Sequence, residues 1–174
     1  KMKQSAKNNV QAFVRPNSFV DTVIITMIDG ALHVLLTKRK DVPFQGKWAL
    51  VGGFVDVDKD DSLEDTARRK LYDKTGVDTP YLEQLMTVGN KTRDPRGWSL
   101  TTVYFALLSI DSVKTLKAGE NVSDVRWAKI DGDSVKERLA FDHKDILHAC
   151  LDRLRKKVLY TSLPVFLLGE CFTL

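Results

Sequence analysis

Two different hydrophobic periods run along this chain, and the change between them marks out its elements. Phe19 to Ile28 (FVDTVIITMI) and Leu32 to Arg39 (LHVLLTKR) are short, β-branched, largely apolar runs of the kind that form strands. Asp29-Gly30 between them is a two-residue hairpin signal, since both residues of such a turn need positive φ. Further strand-like runs follow at Leu82 to Val88, Leu100 to Leu108 and Val125 to Ile130. Between the two groups the period lengthens: Leu63, Ala67 and Leu71 make a narrow helical stripe. Ser62 is placed to cap that helix, Asp65 supplies a short capping-box acid, and Gly76 gives a left-handed stop. A second helix is predicted over Asp142 to Lys157, with acids in its first turn and bases in its last. Its Leu147, Leu151, Leu154 and Val158 form a seam that packs either on the domain or on a second copy. Strand hairpin, helix, more strands and a last helix predict an α/β sandwich with a mixed sheet.

Composition narrows the class without naming a function. With 174 residues, 43% of them hydrophobic, the chain is long enough for one full core. Residues 1–17 are polar and read as an N-terminal arm, 18–157 as the domain, and 158–174 (VLYTSLPVFLLGECFTL) as an apolar linker interrupted by Pro164, too short for a membrane span. The sequence has no signal-peptide pattern, and two cysteines without a metal or disulfide pattern, Cys150 and Cys171, fit a reducing cytoplasm. A net charge of +4 permits contact with nucleic acid but does not require it, because Arg68 to Lys70 and Arg153 to Lys157 also read as solvated helix faces. His33, His143 and His148 have no metal-binding spacing.

The candidate chemistry lies at the first helix. Gly52-Gly53 before it is expected to turn sharply and to let backbone approach a ligand. Lys70, Asp73 and Lys74, three and four apart, are expected to converge on one patch at the foot of that turn. From Arg69 onward the run Arg-Lys-Leu-Tyr-Asp-Lys-Thr-Gly-Val resembles the Nudix box, whose pattern is Arg-Glu-apolar-any-Glu-Glu-any-Gly-apolar. Asp61 stands at the place of the first box glutamate, after a loop two residues longer than the pattern. In that family the helix glutamates bind magnesium and help to activate water; the matching positions here are Lys70, Asp73 and Lys74. Three carboxylates would carry −3 where this chain carries +1. An ammonium offers no lone pair, and at an effective dielectric of about 20 it repels a divalent ion 4 Å away by roughly 8 kcal/mol. The resemblance with these replacements implies no catalytic residue and no metal site, with magnesium excluded from its usual place and a diphosphate held by lysines instead.

The flanks extend the resemblance. Pro43 to Leu50 (PFQGKWAL) resembles the Nudix segment leading into the glycine pair, and Arg93-Asp94-Pro95-Arg96-Gly97 resembles the RDPRG loop of Nudix proteins that process ADP-ribose. That loop reads either as two guanidiniums available for bidentate phosphate contact or as an acid-and-base-stapled turn. The order AFDH, helix, YTSLPVFLLGECFTL is similar to that of the Nudix-related transcriptional regulators of NAD metabolism, in which a winged helix-turn-helix follows where this chain stops. The resemblance implies an ADP-ribose-sensing repressor domain that needs no cofactor, forms a homodimer and reaches operator DNA through that further domain, with ligand releasing DNA. It implies a ligand site of Asp21, Arg39, Lys47, Trp48, Gly52, Gly53, Phe54, Lys70, Asp73, Lys74, Arg93 and Arg96. The alternative is a magnesium-dependent ADP-ribose pyrophosphatase that uses Asp73, Asp61, Glu64 and Asp56 or Asp58 as substitute ligands, and a third reading is a scaffold for oligomerisation.

Overall fold

The computed structural model describes residues 15–78, 81–109, 116, 118–119 and 121–158. The expected arm and linker therefore lie, except at their inner ends, outside the described residues. The order of elements is β1 (Asn17–Ile28), β2 (Ala31–Arg39), β3 (Trp48–Ala49), β4 (Val51–Phe54), α1 (Leu63–Thr75), β5 (Glu83–Asn90), β6 (Ser99–Leu108), β7 (Val122–Lys129) and α2 (His143–Val158). The β1–β2 hairpin closes through Asp29 and Gly30, with φ of 48° and 71°, as the dipeptide predicts.

The seven strands form one mixed sheet: β1 pairs antiparallel with β2 and β4 and parallel with β6, while β5 lies outside β6 and β7 outside β2. The partner of β1 changes along its length. Phe19 to Thr22 pair with β4, whereas Ile25 to Ile28 pair with β2, so the sheet forks and the 48–54 segment fills the fork. Alternation along β1 puts Val23 and Ile25 on one face, in a core with Phe105, Ile146, Leu147, Leu151 and Leu154. Ile24 faces the other way, with Leu35, Val51 and Leu71. Each face is covered by one helix, α2 and α1 respectively, which gives the α/β/α sandwich.

The helix signals hold with two corrections. Ser62 accepts from the Asp65 amide at 3.1 Å and Gly76 sits at φ 71°. Leu63, however, is 39% exposed, and the buried stripe is Thr66, Ala67, Leu71 and Thr75. The seam of α2 packs on its own sheet, with Leu147, Leu151 and Leu154 buried and only Val158 half-exposed. The second correction concerns Gly52-Gly53, which lie in β4 in extended backbone rather than at a sharp turn. A Cβ on Gly52 would stand 2.3 Å from both the Asp21 carboxylate and the Val20 carbonyl, so the strand itself requires glycine there.

Cys150 on α2 is buried in the larger core, and burial pushes its thiol up to about 12. In native protein this thiol is expected to resist alkylation by iodoacetamide at pH 8, and to be labelled only in denaturant. Peptide mapping by mass spectrometry, scored for the Cys150 peptide separately, checks this.

Candidate functional site

A cleft opens where the sheet forks. β1 contributes Phe19 and Asp21, β4 contributes Gly52, Gly53 and Phe54, β2 contributes Arg39, α1 contributes Lys70 and Lys74, and the 90–98 and 139–143 segments bring Arg93, Asp94, Arg96, Phe141 and His143. Four of these residues are lysine or arginine on α1 and the loops, and Arg39 adds a fifth basic group.

The lysines of α1 enter this cleft because their helix crosses β4. The Lys74 ammonium donates to the Gly52 carbonyl at 2.5 Å. Burial is the main cause that pushes its pKa down, to about 8, with the Lys70 and Arg39 charges acting in the same direction and Asp21 opposing. The Lys70 stem lies over Gly53, where a Cβ would meet its Cε at 3.1 Å, and burial lowers its pKa as well. The glycine pair thus clears space for Asp21 and for a lysine stem. Asp73 does not join them: it lies outside the cleft, exposed and 3.6 Å from Arg69.

Arg69 instead organises the loop before α1. It forks onto Asp60 at 2.6 and 2.5 Å, and Asp60 also accepts from Thr66 Oγ1 at 2.8 Å and from the Asp56 amide at 3.0 Å. This guanidinium holds the Asp60 carboxyl well below the usual range. The organising acid of the loop is therefore Asp60; its neighbour Asp61, the residue singled out by spacing, is exposed.

The RDPRG loop also differs from two open guanidiniums. Arg93 is buried and forks onto Asp142, the residue preceding α2, with both contacts at 2.9 Å, and stands 3.5 Å from Asp21. Arg96 forks onto Asp94, and its guanidinium lies 5.1 and 5.0 Å from the Phe19 and Phe54 ring centres. Arg96 thus staples the turn through Asp94, while Arg93 reaches out of the loop to Asp142. Arg39 donates to the Pro43 carbonyl at 2.7 Å and lies over Phe141.

Besides Asp73, two further expected ligand residues lie away from the cleft. Lys47 is exposed on the approach to β3, and Trp48 is buried in the larger core, its ring covered by Arg126 at 4.3 Å. Conversely, Asp94, Phe141 and His143 line the cleft and were not among the expected ligand residues. His143 accepts from the Leu50 amide through Nδ1 at 3.0 Å, which puts its proton on Nε2, 3.6 Å from Asp21. Burial lowers its pKa, and because Nδ1 accepts the Leu50 amide the ring is neutral. Among the described residues, no group of three or more His, Cys, Asp or Glu side chains is arranged to hold a metal ion.

A mixed sheet between two helices, with a basic cleft over the strand-to-helix crossing, defines an α/β/α sandwich domain with a cleft of anion-attracting charge. The chain belongs to the Nudix family: the NUDIX domain model matches residues 18–150. It is 43% identical over 159 residues to the ADPR responsive transcriptional repressor NtrR of Acinetobacter baylyi, covering 91% of this chain and 62% of that protein. The chain thus spans less than two thirds of the repressor's length. It is 32% identical over 125 residues to the ADP-ribose pyrophosphatase of Methanocaldococcus jannaschii, covering 69% of each. Among solved structures, the NUDIX domain of Shewanella oneidensis NrtR complexed with ADP ribose is 44% identical with a TM-score of 0.78, covering 86% of this chain and 95% of that one.

Proposed function

We propose that this domain senses ADP-ribose for a transcriptional repressor of NAD metabolism and binds the ligand without efficient hydrolysis. The observation that carries the reading is the entry of Lys70 and Lys74 into the cleft; by the box resemblance these are positions of the metal-binding glutamates. Identity with the Acinetobacter repressor and likeness to the ADP-ribose-bound Shewanella domain support the ligand. Magnesium does not fit this donor set. The two box positions in the cleft offer only N–H donors, Asp73 lies outside it beside Arg69, and Asp21 is engaged by Arg93. A diphosphate placed against Lys70 and Lys74 gains charge-assisted contacts in a partly desolvated site. Operation as a cytoplasmic homodimer, with operator DNA held by a region of the repressor's length outside this chain and released on ligand binding, completes the proposal. No helix among the described residues is long and apolar enough to cross a membrane.

Calorimetric titration with ADP-ribose in EDTA tests the reading, and saturable binding is expected. Magnesium-dependent release of AMP at ordinary hydrolase rates would favour the pyrophosphatase alternative. No binding would leave the scaffold.

The depressed pKa of Lys74 gives this binding a pH signature. Anion binding needs the charged lysine, so affinity is expected to fall as pH rises through about 8. Stability of the unliganded domain is expected to move the other way. A lysine whose folded pKa lies below its unfolded value binds fewer protons when folded between those two values, so stability rises with pH across that window. Titrations and urea midpoints at pH 7, 8 and 9 check both signs.

A further inference from the structure

Arg93 stands between two carboxylates that belong to different parts of the molecule. Asp142 takes both arms of its fork at 2.9 Å, and Asp21, in the cleft, is 3.5 Å away. The Asp142 carbonyl also accepts the Asp145 and Ile146 amides at 3.0 and 3.1 Å, so the residue gripped by Arg93 is the one that starts α2. The next residue, His143, holds the Leu50 amide in the cleft floor. Arg93 is the cation between buried Asp21 and part-buried Asp142, and His143 is neutral, so the cluster carries one excess negative charge. Lys74 and Arg39 across the cleft compensate it.

We propose that Arg93 is a two-position relay between the cleft and α2, which rests on the reading that the cleft binds an anionic ligand. A diphosphate on Lys74 and Arg39 takes their compensating charge from Asp21 and adds negative charge beside it. Asp21 then competes more strongly for Arg93, whose fork shifts from Asp142 to Asp21. The start of α2 loses its anchor, and His143 moves off the Leu50 amide. The two positions differ by the swap of one guanidinium between two carboxylates already within reach, which makes the element bistable. Coupling of this kind is reciprocal: whatever releases Asp142 also favours the ligand.

The Leu50 amide is the reporter, because its partner is the His143 side chain. In the wild-type domain, saturating ADP-ribose is expected to speed its hydrogen exchange by roughly tenfold, with core strand amides unchanged. Asp142→Asn is expected to show the faster exchange without ligand, to respond no further, and to bind ADP-ribose severalfold more tightly. A residue needed only for folding would instead weaken binding when replaced. Asp142→Ser, which keeps a good helix-starting residue, repeats the test if the asparagine variant is poorly folded. ADP-ribose binding with unchanged or slowed Leu50 exchange overturns the relay, as does weaker binding by both variants. If calorimetry finds no ADP-ribose binding by the wild type, the functional reading fails by itself. Inorganic pyrophosphate then serves as the cleft anion, and its binding without faster Leu50 exchange, or its failure to bind, overturns the relay too.

Discussion

Replacing Lys74 by glutamate is expected to lower ADP-ribose affinity in EDTA by at least about a hundredfold, or ~2.7 kcal/mol. A charge-assisted hydrogen bond contributes about 1.5–3 kcal/mol, and the substitution both removes that contact and places a carboxylate near Asp21. Lys74→Met separates the two effects. It is expected to lose roughly ten- to a hundredfold, by the contact alone, and to abolish the fall in affinity near pH 8. A thermal melt controls for folding, since Lys74 also donates to the Gly52 carbonyl. If calorimetry gives both variants wild-type affinity, the ligand is not anchored on α1 and the receptor reading of the lysines fails.

Arg93→Ala is expected to destabilise the domain by about 3–5 kcal/mol, because it strands buried Asp21 and part-buried Asp142 without their cation. Arg93→Lys is expected to recover only part of the loss. An ammonium is a point charge and cannot reproduce the two parallel contacts to Asp142. Urea unfolding of the three proteins measures this. A loss below about 1 kcal/mol for the alanine variant, the scale of an exposed ion pair, would show that water reaches these carboxylates easily.

Most of the fold was legible in the sequence because local signals and tertiary packing agree. The Asp29-Gly30 turn, the Ser62 cap, the Gly76 stop and the α2 seam each state a geometry that short-range chemistry enforces. β3 and β4 were not legible as strands. They are two and four residues long, and Gly52-Gly53 read as a turn because glycine is permissive. Only the approach of Asp21 and Val20 explains why glycine is needed in an extended strand there. The site divides in the same way. Lys70 and Lys74 were readable as a helical pair, and the structure brings both to the cleft. Helical spacing also grouped Asp73 with them, but Asp73 projects outside the cleft, near Arg69. Arg93 and Arg96 were singled out by motif, yet their partners Asp142 and Asp94 decide what they do. The Arg93–Asp142 pair spans 49 residues and has no local signature.

The cleft is opened by main-chain pairing, as β1 exchanges β4 for β2 along its length, and Leu50 and Val51 on the segment at the fork carry the cores up to its floor. Of the charged groups in the cleft, Arg93 and Asp21 are paired into the fold, whereas Lys70 approaches from the helix side and is only half-buried. On the receptor reading, the charge that Lys70 and Lys74 bring to the cleft rides on a helix anchored by Thr66, Ala67, Leu71 and Thr75, so what the cleft attracts and what holds the helix down are set by different residues.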